Sequence, residues 1–294
     1  MPYVPKSASM LTTIQAPVSR RYLLKRTAGL ALASGLARAE GLFRTTELNH
    51  VFVRARDPEK SRAFYERLFG PPKRRLTSGS VLFEFGSGEV GIGAIPNRPV
   101  GIDHFCVSVE DFSIETAAAK LRSRQLTAEK LYAADELYFR DPDGILVQLA
   151  APKYHNPRAL PIEPSSNAAP PLFPPLSLDH LALRVSNLER ATGFYEALFG
   201  PSRRQPDRPL AGIRTASGQV VGWGTDGVSA IGVDHFCVAV VGYEPDAVSR
   251  KLQQNGIPSE RLYRPDQVFV RDPDGILVQL AGPGGGIPGR RVGD

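Results

Sequence analysis

The sequence predicts an α+β protein built from two tandem copies of one domain. The first reason is repetition, since residues 48–54 recur as 178–184 and residues 140–150 recur without a change as 271–281. An offset of about 130 residues is far longer than the roughly 20–50 residues of a solenoid repeat, so a whole domain is duplicated. The second reason is the order within a copy, where one strand, one helix and further strands follow one another twice.

Each element of the first copy has a local signal. Residues 48–54 alternate between apolar and polar side chains, as a strand with one buried face does. Asp57 and Pro58 are typical of a helix start, and Gly70 is typical of a helix end. The remaining elements are predicted as strands at 81–85, 89–95, 103–109, 137–140 and 145–149 and a helix at 114–124.

Composition divides the chain around these copies. We expect domains at 45–151 and 177–282, an extended Pro-rich linker at 152–176 and a flexible Gly-rich tail at 283–294. With two Cys in all, the chain has neither a disulfide framework nor a Cys-based zinc site, and Cys106 and Cys237 are interpreted as small buried hydrophobes.

The basic excess of the chain lies in its first 39 residues. The formal charge is +6, yet residues 1–39 contain six Lys and Arg and no acidic residue, so the rest of the chain is balanced. Residues 40–294 have equal numbers of basic and acidic residues and so no basic excess to bind nucleic acid, which we exclude as a partner.

The same 39 residues read as an export leader. Residues 19–25, Ser-Arg-Arg-Tyr-Leu-Leu-Lys, resemble a twin-arginine signal, and the apolar stretch that follows ends at Ala37-Arg38-Ala39. That stretch is too short to span a bilayer, so no stable membrane anchor is expected. We expect the twin-arginine export machinery to recognise residues 1–39 and the mature protein to be periplasmic or extracellular.

The histidines mark the candidate site. Four of the five occupy matching strand positions in the two copies: His50, His104, His180 and His235. Because side chains alternate along a strand, each pair shares a sheet face with a glutamine on the last strand, Gln148 or Gln279. Two imidazoles and an oxygen donor suit Fe, Mn, Zn or Ni. The alternative is that these are buried, hydrogen-bonded histidines of a site that has lost its metal.

These motifs resemble the vicinal oxygen chelate superfamily, which includes glyoxalase, bleomycin-resistance and extradiol-dioxygenase-like proteins. The resemblance covers 45–151 and 177–282 and rests on four motifs: Leu-[Asn/Asp]-His, Phe-Tyr-Glu-x-Leu-Phe-Gly, Gly-[Ile/Val]-Asp-His and Arg-Asp-Pro-Asp-Gly-Ile-Leu-Val-Gln. It implies that each copy contains two βαβββ units, which form a half-open mixed sheet around a cavity. It also implies a divalent metal held by the first, fifth and eighth strands.

Carried onto this chain, the resemblance implies two ligand sets: His50, His104 and Gln148, and His180, His235 and Gln279. The family usually has Glu on the last strand, and glyoxalase-like members have a fourth-strand ligand where this chain has Gly91 and Gly222. A glutamine ligand is neutral, so the metal charge stays uncompensated and an anionic chelating substrate is favoured. Losing the carboxylate also removes a candidate base for glyoxalase chemistry.

Three further residues are candidate functional groups. Arg54 and Arg184 lie on the face of the first-strand histidines and are expected to bind an anionic substrate group. Residues 137–144 resemble the end of the extradiol dioxygenase signature, which makes the Tyr138 hydroxyl a candidate catalytic proton donor. The Asp-Pro-Asp-Gly segments at 141–144 and 272–275 are interpreted as turns.

Three functions fit these features. The leading one is an exported metalloprotein, most like a ring-cleaving extradiol-type dioxygenase acting on a small chelating substrate, with Fe as the most suitable metal and Mn, Zn or Ni as alternatives. The second is a glyoxalase- or epimerase-like lyase or isomerase, which needs a base in the cavity. The third is a metal-free small-molecule binding protein of the bleomycin-resistance type. The sequence leaves open whether the protein is a monomer or a homodimer.

Overall fold

Both copies of the repeat lie within the residues that the computed structural model describes, which are 40–86, 88–163, 169–205, 208–227 and 229–284. The predicted signal peptide at 1–39 and the tail from residue 285 onward lie outside these ranges. No helix in the described ranges is long and apolar enough to cross a membrane.

Each copy forms an eight-stranded mixed sheet with two helices, so the predicted α+β tandem fold is confirmed. The first copy consists of β1 (Thr45–Arg54), α1 (Pro58–Phe69), β2 (Arg74–Leu76), β3 (Val81–Phe85), β4 (Gly88–Gly93), β5 (Gly101–Val109), α2 (Ile114–Ser123), β6 (Leu137–Arg140), β7 (Leu146–Ala150) and β8 (Ala159–Pro161). The second consists of β9 (Pro175–Arg184), α3 (Leu188–Phe199), β10 (Arg203–Arg204), β11 (Leu210–Arg214), β12 (Val220–Gly224), β13 (Gly232–Val240), α4 (Pro245–Gln254), β14 (Ser259–Glu260), β15 (Val268–Arg271) and β16 (Leu277–Ala281). The strand orders are β6-β7-β5-β1-β4-β3-β2-β8 and β10-β11-β12-β9-β13-β16-β15-β14.

Helix α1 begins and ends where the sequence predicts. Asp57 is its N-cap, and the carboxylate accepts a hydrogen bond from Lys60 N at 3.2 Å. Gly70 ends the helix with a φ of 91°, a conformation that favours glycine. Val51 and Val53 of β1 belong to the same buried cluster as the apolar face of α1, which leaves the opposite face of β1 for the site.

The centre of each sheet is an antiparallel pair of long strands, β1 with β5 and β9 with β13. In the first copy the pairing skips Asn49 on β1 and Asp103 on β5, so each is the extra residue of a β-bulge. A bulge bends the strand and redirects the neighbouring side chains. Each extra residue directly precedes a candidate ligand, His50 or His104, and its side chain lies beside that histidine.

The segment between the copies is partly built into the first sheet. The sequence predicts an extended linker at 152–176, but Ala159–Pro161 forms β8, which pairs with β2 at the sheet edge. A proline is tolerated there because an edge strand has one side that needs no N–H donor. Further along, Leu172 N and Phe173 N donate to carbonyl groups at the end of α1.

The two copies contact each other through the motifs that repeat. The Tyr65 hydroxyl of α1 donates to Asp272 at 3.1 Å, and the Tyr195 hydroxyl of α3 donates to Asp141 at 2.9 Å. All four side chains are buried. The Asp-Pro-Asp-Gly segments are turns, as predicted, with a φ of 83° at Gly144, but they also join the copies. The copies therefore pair within one chain.

One side chain, Gln219, links the first strands of both copies. Its Nε2 donates to Leu48 O and Leu178 O, both at 2.9 Å, and its Oε1 accepts from Leu48 N at 2.9 Å. The matching position in the first copy is Gly88, where a Cβ would lie 2.7 Å from Leu178 Cβ. The space between the copies holds one such side chain, which explains why the repeat is broken at this position.

Candidate metal centre

The three predicted ligands of the first copy converge. His50 Nε2 lies 3.2 Å from His104 Nε2 and 3.0 Å from Gln148 Oε1. They come from β1, β5 and β7, which are adjacent in the sheet. Two donor atoms at either of these separations correspond to metal bonds of about 2.1–2.3 Å that meet at near right angles, as adjacent ligands of an octahedral metal do.

Hydrogen bonds determine which ring nitrogen carries the proton. His104 Nδ1 lies 2.7 Å from Asp103 Oδ2, which accepts only. His50 Nδ1 lies 2.8 Å from Asn49 Oδ1, whose identity as oxygen follows because Asn49 Nδ2 donates to Tyr154 O at 3.0 Å. Both rings therefore hold their proton on Nδ1. Their Nε2 lone pairs face each other and the amide oxygen of the third ligand.

This donor set fits a divalent cation. Three converging lone pairs repel one another unless a positive charge lies between them. Protonation of His50 does not relieve the repulsion, because burial and then the charge of His104 lower the pKa of His50 to about 3. Two imidazoles and an amide oxygen suit the metals predicted from the sequence. His50, His104 and Gln148 are the residues that would hold the ion.

Arg54, predicted to bind substrate, instead holds the carboxylate behind His104. Arg54 Nη1 donates to Asp103 Oδ1 at 2.5 Å, and the Tyr132 hydroxyl donates to Asp103 Oδ2 at 2.7 Å. Burial raises the pKa of the Asp103 carboxyl, but hydrogen bonds from His104 and Tyr132 and the charge of Arg54 outweigh it, and the pKa is lowered overall. The ionised Asp103 orients His104, so Arg54 is a positioning residue.

The same arrangement recurs around Arg184. Its Nε donates to Asp234 at 2.7 Å, and the Tyr263 hydroxyl donates to the other oxygen of Asp234 at 2.8 Å. Arg184 also contacts Asp226. The sequence contained signals for both trios: an Asp precedes each fifth-strand histidine, and Leu-Tyr recurs at 131–132 and 262–263.

The second copy brings its two histidines together, but its glutamine makes no hydrogen bond to either of them. His180 Nε2 lies 3.3 Å from His235 Nε2, and their Nδ1 atoms lie 2.8 Å from Asp179 and 2.6 Å from Asp234. Gln279 is buried, but neither its amide nitrogen nor its amide oxygen has a hydrogen-bond partner among the described residues. A buried amide without partners is costly, and a cation near the histidines would satisfy its oxygen.

The cysteines behave as the sequence predicts. Cys106 and Cys237 are fully buried. One donor atom each from Cys237, Asp179 and His180 lie within 4.8 Å of one another. Burial, and then the negative charge of Asp179, raises the pKa of the Cys237 thiol. A thiol that stays protonated is a poor metal ligand, so Cys237 is not added to the set.

A cavity of about 380 Å³ opens onto the ligands of the first copy. This volume lies within the range of about 300–1,000 Å³ for small-molecule sites. Its lining includes a group of apolar side chains and a group of polar ones: Phe52, Leu76, Leu82, Ile95 and Pro96, and Glu89, Tyr132, Glu136, Tyr138, Tyr154, Asn156 and Arg158. A second concavity of about 510 Å³ is lined by Arg184, Asp234 and Tyr263 but not by the ligands of the second copy, His180, His235 and Gln279. The cavity of about 380 Å³ therefore belongs to the first copy, and the candidate site is developed there.

Tyr138 lies in this cavity beside a ligand. Its ring stands edge-on to His104, with 5.3 Å between ring centroids, and its hydroxyl donates to Glu136 Oε2 at 2.7 Å. Burial, and then the charge of Glu136, raises the pKa of Tyr138, so the phenol keeps its proton. Sequence reasoning missed Glu136 because Gln267 and Phe269 replace this pair in the second copy.

The fourth strand contributes no ligand at the expected position. A Cβ at Gly91 would lie 2.6 Å from the Phe52 ring, so Phe52 occupies the space a longer side chain would need. Phe52 stacks on His104, with ring centroids 5.6 Å apart and planes 3° apart. The aromatic ring thus replaces the fourth ligand and supports the imidazole.

Glu89 lies two residues earlier on β4 and also lines the cavity. It pairs in register with His50, and its carboxylate lies 2.7 Å from His155 Nδ1 and contacts Arg74. His155, the histidine without a counterpart in the repeat, therefore contacts a carboxylate of the cavity wall. Because His155 lies in the predicted linker, the sequence did not indicate its contact with Glu89.

Acid should destabilise the metal-free protein between about pH 6.5 and 3. His50 has a pKa of about 3, and burial lowers the pKa of His235 as well. A base whose pKa is lower in the folded state binds fewer protons there than in the unfolded state. The free energy of unfolding therefore decreases as the pH is lowered through this window. The slope is up to about 1.4 kcal/mol per pH unit for each histidine. Urea unfolding at pH 7 and pH 5 measures this change in the free energy of unfolding. His50→Gln should give a shallower slope, and a flat profile in the unmodified protein would contradict the prediction.

Comparisons with known proteins show one family match and similar folds. Residues 47–149 match the Glyoxalase/Bleomycin resistance protein/Dioxygenase superfamily. The structure of the 2,3-dioxygenase LapB from Pseudomonas sp. KL28 is similar with a TM-score of 0.59 and 19% identity, over 86% of this chain and 96% of that one. The Mn(II)-bound glyoxalase from Novosphingobium aromaticivorans is similar with a TM-score of 0.60 and 14% identity, over 81% and 82%.

One curated relative is similar over most of the sequence. Lactoylglutathione lyase of Schizosaccharomyces pombe is 23% identical, over 80% of this chain and 96% of its own length. The relatives thus include both dioxygenases and lyases. The chain has a tandem vicinal oxygen chelate-like fold, and its first copy matches the superfamily that the sequence motifs resemble.

Proposed function

We propose that the first copy binds a divalent metal and a small chelating diol of the catechol type. Dioxygen then cleaves the ring that carries the two hydroxyl groups, as in an extradiol-type dioxygenase. The observation that carries the proposal is that His104 Nε2 and Gln148 Oε1 both lie within 3.2 Å of His50 Nε2, at a cavity of about 380 Å³. Similarity to a 2,3-dioxygenase over 86% of the chain supports it. Both atoms of dioxygen enter the product, so the reaction needs no external reductant.

Because the three candidate ligands are neutral side chains, they favour a substrate that carries a negative charge. A divalent metal supplies Lewis acidity to a coordinated hydroxyl and, when it is redox-active like iron, electrons for dioxygen. His50, His104 and Gln148 bring no negative charge, so a diol that has lost a proton matches the site better than a neutral one. Asp103 and Asn49 fix both imidazole rings in the orientation that this binding needs.

Two cavity residues handle protons in this proposal. A chelating diol must release a proton when it binds, and the Glu89 carboxylate in the cavity wall, beside His155, is the group that accepts it in this proposal. The Tyr138 hydroxyl, which donates to Glu136 at 2.7 Å, keeps a proton available for the ring-opened product.

Replacing Tyr138 with Phe should lower kcat about 100-fold and leave metal affinity within about twofold. The ring should pack as before, because Phe269 already stands edge-on to His235 at 5.2 Å in the second copy. Steady-state kinetics and metal titration measure the two effects. Tyr154→Phe is the matched control, since that hydroxyl lies 3.5 Å from Glu136, and it should change kcat less than about threefold. An unchanged kcat in Tyr138→Phe would remove Tyr138 from the mechanism.

Oxygen uptake tests the function. The protein is stripped of metal, loaded anaerobically with Fe(II), Mn(II), Zn(II) or Ni(II), and mixed with catechol in an oxygen electrode. We expect uptake with Fe or Mn in a one-to-one ratio to the catechol consumed, with both oxygen atoms in the product by isotope labelling. Protein that binds these metals but consumes no oxygen with any of several catechols would contradict the proposal.

A glyoxalase- or epimerase-like lyase or isomerase is the second candidate. It needs a base in the cavity, and two buried carboxylates, Glu89 and Glu136, line it. The 23% identical lactoylglutathione lyase gives further support. Exchange of a substrate C–H proton with deuterated solvent tests it, using the hemithioacetal of methylglyoxal and glutathione. Exchange that Glu136→Gln abolishes would favour this function, and no exchange with any metal would exclude it for this substrate.

We also infer that the protein works outside the cytoplasm. The support is the Ser-Arg-Arg-Tyr-Leu-Leu-Lys string at 19–25 and the confinement of the net charge to residues 1–39. N-terminal sequencing of the exported protein should begin at residue 40. Export that survives replacement of Arg20 and Arg21 by Lys would contradict the twin-arginine route.

A further inference from the structure

We propose that the first cavity selects a diol whose ring substituent is uncharged and apolar, and that an ion pair between Arg158 and Glu136 enforces this choice. The inference rests on the proposed function, which it narrows to a substrate class. It depends on how the charged side chains around the cavity are paired.

Arg158 is the one Lys or Arg among the described residues that line the cavity. Its guanidinium donates to Glu136 at 2.5 Å and to Asp135 at 2.7 Å. Asn156 Nδ2 donates to the same Glu136 oxygen at 3.2 Å, which helps hold the carboxylate in place. The positive charge that a substrate carboxylate would need is therefore already neutralised.

Two arginines behind the cavity wall are paired as well. Arg54 donates to Asp103 at 2.5 Å, and Arg74 contacts Glu89 and donates to Glu84 at 3.0 Å. With these pairs formed, each of the three guanidinium groups is already matched to at least one carboxylate. A substrate carboxylate entering the cavity would meet like charge and no free guanidinium from this set.

The rest of the lining favours an apolar substituent. Four apolar side chains line the same cavity as the candidate ligands: Leu76, Leu82, Ile95 and Pro96. A carboxylate buried against such side chains loses its hydration without gaining a partner, whereas an alkyl group gains from leaving water. The diol oxygens supply the negative charge that a metal with three neutral ligands lacks, so no further anionic group is needed.

The determinant lies outside the repeated motifs. Arg158 and Asn156 belong to the segment between the copies, just before β8. β8 pairs with β2 in the same sheet as the ligands, which fixes the position of this segment over the cavity. The interdomain segment thus contributes specificity to a site whose ligands come from the duplicated fold.

Calorimetry on Zn(II)-loaded protein tests the inference, because a redox-inert metal lets the ligand bind without being consumed. The probes are 4-methylcatechol and 3,4-dihydroxybenzoate, which share the diol and differ in the charge of the substituent. We expect 4-methylcatechol to bind at least about tenfold more tightly. In Glu136→Gln, which frees Arg158 from its buried partner, the preference should shift by at least about tenfold toward the acid.

Asp135→Asn is the matched control. It removes the exposed partner of Arg158 but keeps Glu136, so the preference should stay within about twofold of the unmodified protein. Because each preference is a ratio, the different acidities of the two diols cancel between variants. Arg158→Gln is a second variant, independent of the folding of Glu136→Gln, and should shift the preference further toward 4-methylcatechol.

The outcomes separate this inference from the function it rests on. If both diols bind and neither Glu136→Gln nor Arg158→Gln changes the preference, the inference is overturned and the metal–diol proposal stands. If neither diol binds the metal-loaded protein, the proposed function itself is overturned. A preference for the acid in the unmodified protein would also overturn the inference.

Discussion

Replacing His50 with Ala should lower the affinity of the first site for divalent metal by at least about 100-fold and abolish oxygen uptake. Loss of residues that only orient a ligand already costs about 10–100-fold in affinity, and loss of a ligand should cost more. His50 is also the ligand whose Nε2 lies within 3.2 Å of both other donors. Metal titration and the oxygen electrode measure the two effects on the same preparation.

The second copy provides the matched control for this experiment. His180→Ala removes the equivalent ligand at a site that the described cavities do not reach and whose Gln279 contacts neither histidine through a hydrogen bond. Oxygen uptake should stay within about threefold of the unmodified protein. If His180→Ala abolished uptake and His50→Ala did not, the assignment of the working site to the first copy would be wrong.

Replacing Gln219 with Ala should lower the free energy of unfolding by about 3 kcal/mol. The amide makes three hydrogen bonds of 2.9 Å to backbone groups of Leu48 and Leu178, on the first strands of the two copies. Both residues are fully buried, so water does not replace the lost partners. Chemical denaturation followed by circular dichroism measures the change.

Gln267→Ala is the control for burial of a glutamine without such bonds. Gln267 is also buried in the second copy, but its Oε1 has no hydrogen-bond partner among the described residues. Its replacement should change the free energy of unfolding by less than about 1 kcal/mol. Equal losses in the two variants would show that Gln219 does not stabilise the contact between the copies.

Much of the fold was predictable because it depends on local patterns that occur twice. Alternation in 48–54 and the capping residues Asp57 and Gly70 placed β1 and α1 correctly. The edge strand β8 was not predictable, because it forms by pairing with β2 and its own composition is that of a linker. The contact between the copies was missed for a similar reason: Tyr65 meets Asp272 only in three dimensions.

The shared sheet face of the three candidate ligands was predictable from strand periodicity and the repeat, whereas their surroundings were not. His50, His104 and Gln148 share a face at positions that a period of two identifies. Arg54 shares that face as well. Sequence periodicity cannot show that Asp103, the extra residue of a β-bulge, forms an ion pair with the Arg54 guanidinium. Glu136 and Arg158 are absent from the repeat, and only the folded chain brings them together.

A crystal structure of the metal-loaded protein, with anomalous data collected at the absorption edge of the bound metal, tests the central claim most directly. We predict an anomalous peak within about 2.0–2.3 Å of His50 Nε2, His104 Nε2 and Gln148 Oε1. A fully loaded protein whose anomalous peaks all lie away from these three atoms would contradict it.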